Sequence, residues 1–127
     1  MNFLKTSKMI EGFEKVTSEL KEQELELAND LIKHFLTKTK NNKAKASDIV
    51  KGVNCHYNLS FKFTEVRLRK IINHYRSNSI IPIISDSEGY FVSYEKEDLE
   101  KVIKSLDQRS NSIKRCSSGL KKFLDNV

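Results

Sequence analysis

The side chains of this chain best suited to chemistry with a charged partner are the cations of its middle third. Residues 38–76 contain ten lysines and arginines against two acidic residues, whereas residues 1–37 carry a net charge of −2 and residues 77–127 are neutral. The excess positive charge therefore lies in one segment. A cationic segment of this kind is suited to contact with a polyanion.

Part of this charge has a simpler interpretation. The polar segment TKTKNNKAK contains four lysines: Lys38, Lys40, Lys43 and Lys45. Such a run is also typical of a solvated loop, so both interpretations stay open for these four lysines. A solvated loop explains less well the cations further along the chain, at Arg67, Arg69 and Lys70.

The sequence contains no recognisable catalytic or metal-binding motif. Its histidines are scattered, and neither HExxH nor CxxC occurs. Cys55 and His56 are neighbours, but a nucleophile and its base must be arranged in space, and a buried thiol beside a surface imidazole is the simpler interpretation. The four glycines are isolated, so no glycine-rich phosphate loop is present. We expect no enzyme activity, no cofactor and no metal.

The arginines lie on a segment with helical periodicity. Thr64 is placed to cap a helix, because its hydroxyl can accept from a backbone N–H two or three residues on. Apolar residues follow at spacings of three and four: Val66, Leu68, Ile71, Ile72 and Tyr75. Polar residues occupy the other positions: Arg67, Lys70, Asn73, His74 and Ser77, with Arg69 and Arg76 at the margins. The pattern predicts a helix over 64–77 with one buried and one basic face.

A β-hairpin is predicted directly after this helix. Ile80 to Ser85 is rich in isoleucine and suited to a strand. Asp86 to Gly89 supplies turn residues, and Tyr90 to Tyr94 forms the second strand.

Two further helices are predicted before the basic one. The first runs from about residue 19 to 38, with an apolar stripe at Leu25, Ala28, Leu31, Ile32, Phe35 and Leu36. The second is short and begins at Ala46. Residues 54–62 would connect it to the basic helix, a connection longer than the ~3–4 residues of a minimal helix-turn-helix. Aromatic residues in it, such as Phe61 and Phe63, can join the core or stack on single-stranded bases, and core packing is the simpler interpretation.

The last part of the chain has a heptad pattern. Leucine or isoleucine recurs every seven residues at Leu99, Leu106, Ile113 and Leu120. The alternate positions hold Val102 or Ile103, then Ser110, Ser117 and Leu124. This pattern predicts a helix that pairs with a second copy through residues 99–124, and the alternative is packing of its first half on the domain itself.

A basic helix followed at once by a hairpin resembles the recognition helix and wing of a winged helix-turn-helix domain. The matching features are Arg76, the polar run 77–79, the strand Ile80 to Ser85 and the Gly89-Tyr90 pair. The pattern is similar to the DNA-binding domain of the biotin operon repressor and of small bacterial and phage regulators, over about residues 44–93. The resemblance implies a mainly α fold with a small β-hairpin and a long C-terminal helix.

The resemblance also implies that the polar face of helix 64–77 enters the major groove of double-stranded DNA. Arg67 and Arg69 are then the first candidates for contact, because arginine can donate two hydrogen bonds to guanine. Asn73 can read adenine if it faces outward, and the basic loop adds backbone contacts. The candidate DNA-binding residues are Thr64, Glu65, Arg67, Arg69, Lys70, Asn73, Arg76, Lys43 and Lys45.

The tip of the wing favours an alternative. Asp86 and Glu88 would repel a phosphate backbone, so the wing either stays clear of DNA or contacts a protein. The second function to consider is therefore a winged-helix interaction module, of phage or mobile-element origin, that binds a protein partner.

Length and composition set the remaining expectations. A chain of 127 residues suits one core, which we divide into an arm or short helix (1–18), the winged helix-turn-helix (19–94) and a C-terminal helix (95–127). No apolar run approaches the ~20 residues of a membrane span, and no signal-peptide core is present. Two distant cysteines favour a reducing compartment. We expect a cytoplasmic DNA-binding regulator that acts as a dimer.

Overall fold

The computed structural model describes residues 20–124, and the expected element at 1–18 lies outside this range. The described elements are α1 (Glu22–Leu36), α2 (Ala46–His56), α3 (Glu65–Ser77), β1 (Ile83–Asp86), β2 (Gly89–Val92) and α4 (Lys96–Leu124). The expected mainly helical class, with a small antiparallel hairpin and a long C-terminal helix, is confirmed. The chain divides after Ser93 into two compact units.

The core of the first unit lies among α1, α2, α3 and the hairpin. Its fully enclosed side chains include Phe35 on α1, Phe63 in the connector and Tyr75 on α3. The Phe35 ring meets Tyr75 and Tyr90 edge to face, at 5.8 and 6.4 Å between ring centroids. The Tyr75 hydroxyl donates to the backbone oxygen of Ala28. These aromatic contacts join α1 to α3 and to the hairpin.

The buried stripe of α1 differs from the one that the sequence indicated. Leu25 and Leu36 are 41% and 49% exposed, whereas Leu27 is 2% exposed and Glu24 has no exposed surface. Ala28, Leu31 and Phe35 are buried as expected. A stripe through residues 28, 31 and 35 continues backwards to 24 and 27 at helical spacing, which leaves Leu25 at the margin of the stripe, about 100° round the helix from Glu24.

The basic helix is confirmed as α3. Thr64 caps it, with Oγ1 accepting from the Arg67 backbone N–H at 3.3 Å. Four residues of the expected stripe are buried: Leu68, Ile71, Ile72 and Tyr75. Val66 is 50% exposed, so its assignment to the buried face was wrong. Two residues of helix separate it from Leu68, and that rotation of about 200° turns Val66 to the opposite side.

The connector between α2 and α3, residues 57–64, contains no strand and is held by side chains. The Asn54 amide donates to the Phe63 carbonyl and accepts from the Phe63 N–H, both at 3.0 Å. Gln23 on α1 accepts from the backbone N–H and the hydroxyl of Ser60, each at 3.0 Å. Phe63 is fully buried, so of the two interpretations of this aromatic the core one is confirmed.

The hairpin forms where expected, with shorter strands. Ile83 pairs with Val92 and Asp86 with Gly89, which leaves a two-residue turn at the tip. Asp86 Oδ1 accepts from the backbone N–H groups of Glu88 and Gly89 at 2.9 and 3.2 Å. The first strand starts three residues later than expected, because the Ile80 N–H bonds back to the end of α3 and Pro82 has no N–H to offer.

A backbone bridge ties the loop before α2 to the hairpin. Ala44 and Tyr90 exchange two backbone hydrogen bonds, each of 2.8 Å. Gly89 lies against this bridge with a φ of +147°, and a Cβ there would stand 2.5 Å from the Ala44 oxygen. Both the backbone conformation and the close approach require glycine at this position.

The second unit is built on α4, a continuous helix of 29 residues. Every residue from Ile103 to Leu124 is exposed. Its exposed apolar residues include Ile103, Leu106, Ile113, Leu120 and Leu124. The heptad seam therefore lies on one uninterrupted helix.

Candidate functional site

One face of α3 points to solvent. Glu65, Arg69, Asn73 and Ser77 follow one another at intervals of four residues, and all four are exposed. Val66 lies beside Glu65 and adds an apolar surface. We call these five residues the outer face of α3. It combines an arginine, an amide and a carboxylate one helical turn apart, the side-chain types that can hydrogen-bond to base edges.

Arg67 and Lys70 lie on a different side of α3 and contact α1. Arg67 Nη1 is 3.0 Å from Glu24 Oε2, and Lys70 Nζ is 3.0 Å from Glu24 Oε1. The Lys21 backbone N–H also donates to Oε1, at 3.1 Å. The Glu24 carboxylate is fully buried and accepts three hydrogen bonds, so both cations are committed to a contact within the protein.

The electrostatics of this ion-pair triad favour the charged carboxylate. Burial by itself raises the pKa of Glu24, but the Lys21 N–H and the cations of Lys70 and Arg67 outweigh it and lower the pKa below its ordinary value. The Arg67 guanidinium also lies over the Phe61 ring, 3.9 Å from its centroid. Arg67 is therefore fixed on two sides, and the triad of two cations and one anion keeps a net charge of +1.

Arg76 joins α3 to the hairpin. Its Nε donates to the Ile83 carbonyl at 3.0 Å and its Nη2 to the Ser85 hydroxyl at 3.1 Å. Burial raises the pKa of the nearby Tyr90 phenol, while the charges of Arg76 and Arg69 lie near enough to oppose that rise. Arg76 thus ties the end of α3 to β1, and the Tyr90 phenol is in its neutral form.

Lys43 lies between the two carboxylates of the hairpin tip. Its Nζ is 2.7 Å from Asp86 Oδ2 and 2.8 Å from Glu88 Oε1. Hydrogen bonds from Lys43 and from the turn lower the pKa of Asp86, and those same carboxylates raise the pKa of Lys43. Lys43 therefore changes the net charge of the tip from −2 to −1, which weakens the repulsion that we expect between the tip and a phosphate backbone. Lys43 itself is committed to the tip.

A surface groove of about 910 Å³ runs between the hairpin, the loop before α2 and the start of α3. Lys45 and Glu65 line it, and both are exposed. Its ionisable residues balance in charge, with three lysines facing three carboxylates: Lys40, Lys43, Lys45, Glu65, Asp86 and Glu88.

The nine candidate residues therefore separate into groups. Glu65, Arg69, Asn73 and Lys45 are exposed near the outer face or the groove. The other five have structural partners: Thr64 with the α3 backbone, Arg67 and Lys70 with Glu24, Arg76 with β1, and Lys43 with the hairpin tip. Sequence reasoning missed Glu24. The spacing of Glu24 could have indicated its burial, because it lies four residues before Ala28 and seven before Leu31, in line with the buried stripe.

No cluster of three or more histidine, cysteine, aspartate or glutamate side chains able to hold a metal occurs between residues 20 and 124. Cys55 is exposed rather than buried, and Cys116 is exposed as well.

None of the described helices combines the length and the apolar character that crossing a bilayer requires.

Comparisons of this chain with protein-family models, with curated proteins and with solved structures found no match.

Proposed function

We propose that this protein is a sequence-specific regulator that binds double-stranded DNA and inserts the outer face of α3 into the major groove. The observation that carries the proposal is the exposure of Arg69 and Asn73 on a helix that Arg76 joins to the hairpin, through hydrogen bonds to Ile83 and Ser85. Arginine and asparagine are the side chains that pair most specifically with guanine and adenine. A single helix fits the width of the major groove.

The order of elements supports a winged helix-turn-helix. A first helix is followed by an extended segment at Ala44 that bridges to the hairpin, then by two helices and the hairpin itself. In that arrangement α3 is the recognition helix, and the β1–β2 hairpin is the wing.

The proposed contacts are divided between bases and phosphates. Arg69 and Asn73 read base edges, while Lys45 and the net positive charge of the Arg67–Lys70–Glu24 triad attract phosphates. Arg67 supports the site and does not read bases, because its guanidinium is held by Glu24 and by the Phe61 ring. Arg69 thus becomes the principal base-reading side chain.

We further propose that the regulator acts as a dimer through the heptad seam of α4, residues 99–124. A two-fold dimer binds an inverted-repeat site, in which each subunit contacts one half-site.

A second candidate function is favoured by the hairpin tip. Lys43, Asp86 and Glu88 form a compact charged cluster with one net negative charge, which lines one part of the groove between the hairpin and the loop before α2. This surface suits a basic protein segment better than a phosphate backbone. An interaction module that holds a protein partner would use this side of the molecule.

The two candidates differ in whether the protein binds duplex DNA. In a fluorescence-anisotropy titration with random duplex DNA at low salt, we expect binding at micromolar protein that weakens steeply as salt is added. Absence of binding under these conditions would exclude the DNA-binding proposal and favour the interaction module.

A further inference from the structure

We propose that α4 pairs with α4 of a second copy in antiparallel orientation, so that the two N-terminal ends of the helices lie far apart. This inference deepens the proposed function, since it rests on dimerisation through α4, but it does not depend on DNA binding. It rests on the order of charges beside the seam and on the order of small and large residues within it.

The charges on one flank of the seam change sign along the helix. Glu100 and Asp107 each follow a leucine of the heptad, at Leu99 and Leu106, and Lys114 and Lys121 each follow Ile113 and Leu120 in the same way. All four charged side chains are exposed. None of the four has an ion pair within the described part of the chain. One flank is thus acidic in its first half and basic in its second.

An antiparallel pair brings these flanks together. When Leu99 lies opposite Leu124 of the second copy, Glu100 faces Lys121 of that copy and Asp107 faces its Lys114. The two-fold axis repeats both contacts, so four complementary pairs form along the seam. Shifting the register by one heptad places Asp107 or Lys114 next to its own equivalent, and like charges then repel. Charge complementarity therefore selects both the orientation and the register.

The other flank of the seam is consistent with this register. Val102 faces Phe123 of the second copy, and both are apolar. Phe123 is 70% exposed in the single chain, so this contact would remove a large apolar surface from water.

The seam residues favour the same arrangement. In an antiparallel pair Ser110 faces Ile113 of the second copy, and Ser117 faces its Leu106. Every layer then contains at least one large aliphatic side chain, and small residues oppose large ones. A parallel pair would place Ser110 against Ser110 and Ser117 against Ser117, which leaves two of the layers without an apolar side chain.

A parallel pair also lacks complementary charges. In a parallel pair, each residue of the flank that contains Val102 and Arg109 lies next to the residue five positions later in the second copy, on the flank that contains Asp107 and Lys114. Arg109 would face Lys114, which repels, and Val102 would face Asp107, which has no polar partner there. The antiparallel arrangement avoids both contacts.

The orientation determines the geometry of the dimer. At about 1.5 Å of rise per residue, the N-terminal ends of the two helices lie roughly 45 Å apart in the antiparallel pair. A parallel pair would hold both ends side by side. Because each first unit precedes its α4 in the chain, the antiparallel pair attaches two first units at opposite ends.

Site-specific cross-linking of the full chain tests the orientation. Ile103→Cys and Leu120→Cys are made separately, each in a background with Cys55→Ser and Cys116→Ser, and each is oxidised alone and as a mixture. We expect a disulfide-linked dimer only from the mixture, because residue 103 faces residue 120 of the second copy. A cross-link from Ile103→Cys alone would show residue 103 facing itself and would overturn the antiparallel assignment.

Charge reversal measured by analytical ultracentrifugation is the second test. The double variant Lys114→Glu and Lys121→Glu should weaken dimerisation at least ten-fold, since its glutamates meet Glu100 and Asp107. Mixing it with the double variant Glu100→Lys and Asp107→Lys should restore dimers. The matched control Lys101→Glu and Lys122→Glu makes the same change in charge away from the seam and should leave the dissociation constant within about three-fold.

The same measurement contains the outcomes that count against the pairing. Tighter association of the Lys114→Glu and Lys121→Glu variant would indicate a parallel pair, in which residue 114 faces Arg109. A monomeric wild-type protein at 100 µM or so would exclude self-pairing altogether. Neither experiment contains DNA, so loss of DNA binding and loss of pairing are separately observable.

Discussion

Arg67 on α3 donates a hydrogen bond of 3.0 Å to Glu24 on α1, a carboxylate with no exposed surface. Lys70 approaches the other oxygen of the same carboxylate at the same distance. The contact fixes the rotation of α3 against α1, because the two cations must both face Glu24. Arg69 is then turned outward, two residues beyond Arg67. A buried contact thus determines which arginine is exposed for a partner.

Glu24→Gln should destabilise the first unit. The substitution keeps the shape of the side chain but leaves two cations without their counter-ion. Removing one member of a fully buried ion pair costs about 3–5 kcal/mol, and the partial exposure of Arg67 reduces the expected loss to about 1–3 kcal/mol in the free energy of unfolding. Urea denaturation followed by circular dichroism measures it. The control Glu26→Gln, on the exposed side of α1, should stay within about 0.5 kcal/mol. Equal effects of the two substitutions would contradict a stabilising triad.

The free energy of unfolding should fall in acid as Glu24 becomes protonated. Its pKa in the folded protein lies below the ordinary value of 4.5, because Lys21, Lys70 and Arg67 together outweigh the effect of burial. A lowered folded-state pKa means that the unfolded chain binds the proton more readily than the folded protein does. The contribution of ionised Glu24 to the free energy of unfolding is therefore complete above about pH 4.5, and it is lost as pH falls through the folded-state pKa.

Urea midpoints of wild type and Glu24→Gln, measured between pH 3 and 7, would test this dependence. The difference between the two proteins should be largest near neutral pH and shrink in acid. A difference that grows in acid would mean that the pKa is raised instead.

Gly89→Ala should weaken the hairpin and its bridge to Ala44. The added Cβ would stand 2.5 Å from the Ala44 oxygen, and alanine rarely adopts a φ of +147°. We expect a loss of about 1–3 kcal/mol in the free energy of unfolding. Gly52→Ala is the matched control, because a Cβ there has nothing within 4 Å and the residue lies inside α2. It should stabilise by roughly 0.5–1 kcal/mol. Thermal denaturation of both variants would reveal the opposite signs, and a neutral Gly89→Ala would mean that the turn can relax.

Local patterns predicted the elements of this fold well. The Thr64 cap, the buried residues of α3 from Leu68 to Tyr75 and the turn at Gly89 depend on the chemistry of neighbouring residues. The contacts between elements could not be predicted in this way. From the sequence alone, Asp86 and Glu88 form an uncompensated acidic tip, because their partner Lys43 lies more than forty residues earlier and is brought near only by the Ala44–Tyr90 bridge.

The candidate site shows the same division. Arg67 and Arg69 looked equivalent in sequence, since both are arginines near the start of one helix. Only the packing of α1 separates them, and that packing depends on a glutamate in an otherwise apolar stripe. A carboxylate at a stripe position is a signal that a cation from another element lies opposite, but the sequence does not identify which cation.

Arg69→Ala and Arg67→Ala should therefore have different effects. Arg69 is exposed, so its loss should reduce DNA affinity by about 1–3 kcal/mol and relax specificity at one base pair, with the unfolding midpoint unchanged. Arg67→Ala leaves Glu24 with one cation fewer and removes the contact with Phe61, so its main effect should be on stability.

Anisotropy titrations against a selected duplex, paired with urea denaturation of each variant, separate the two effects. Lys33→Ala, an exposed cation on α1, controls for the loss of one positive charge. If Arg69→Ala binds as tightly as Lys33→Ala, the outer face of α3 does not read the base pairs, because an arginine that donates to guanine must contribute more than one charge at a distance. Reduced affinity confined to Arg67→Ala would place the reading face on the side of Phe61 instead.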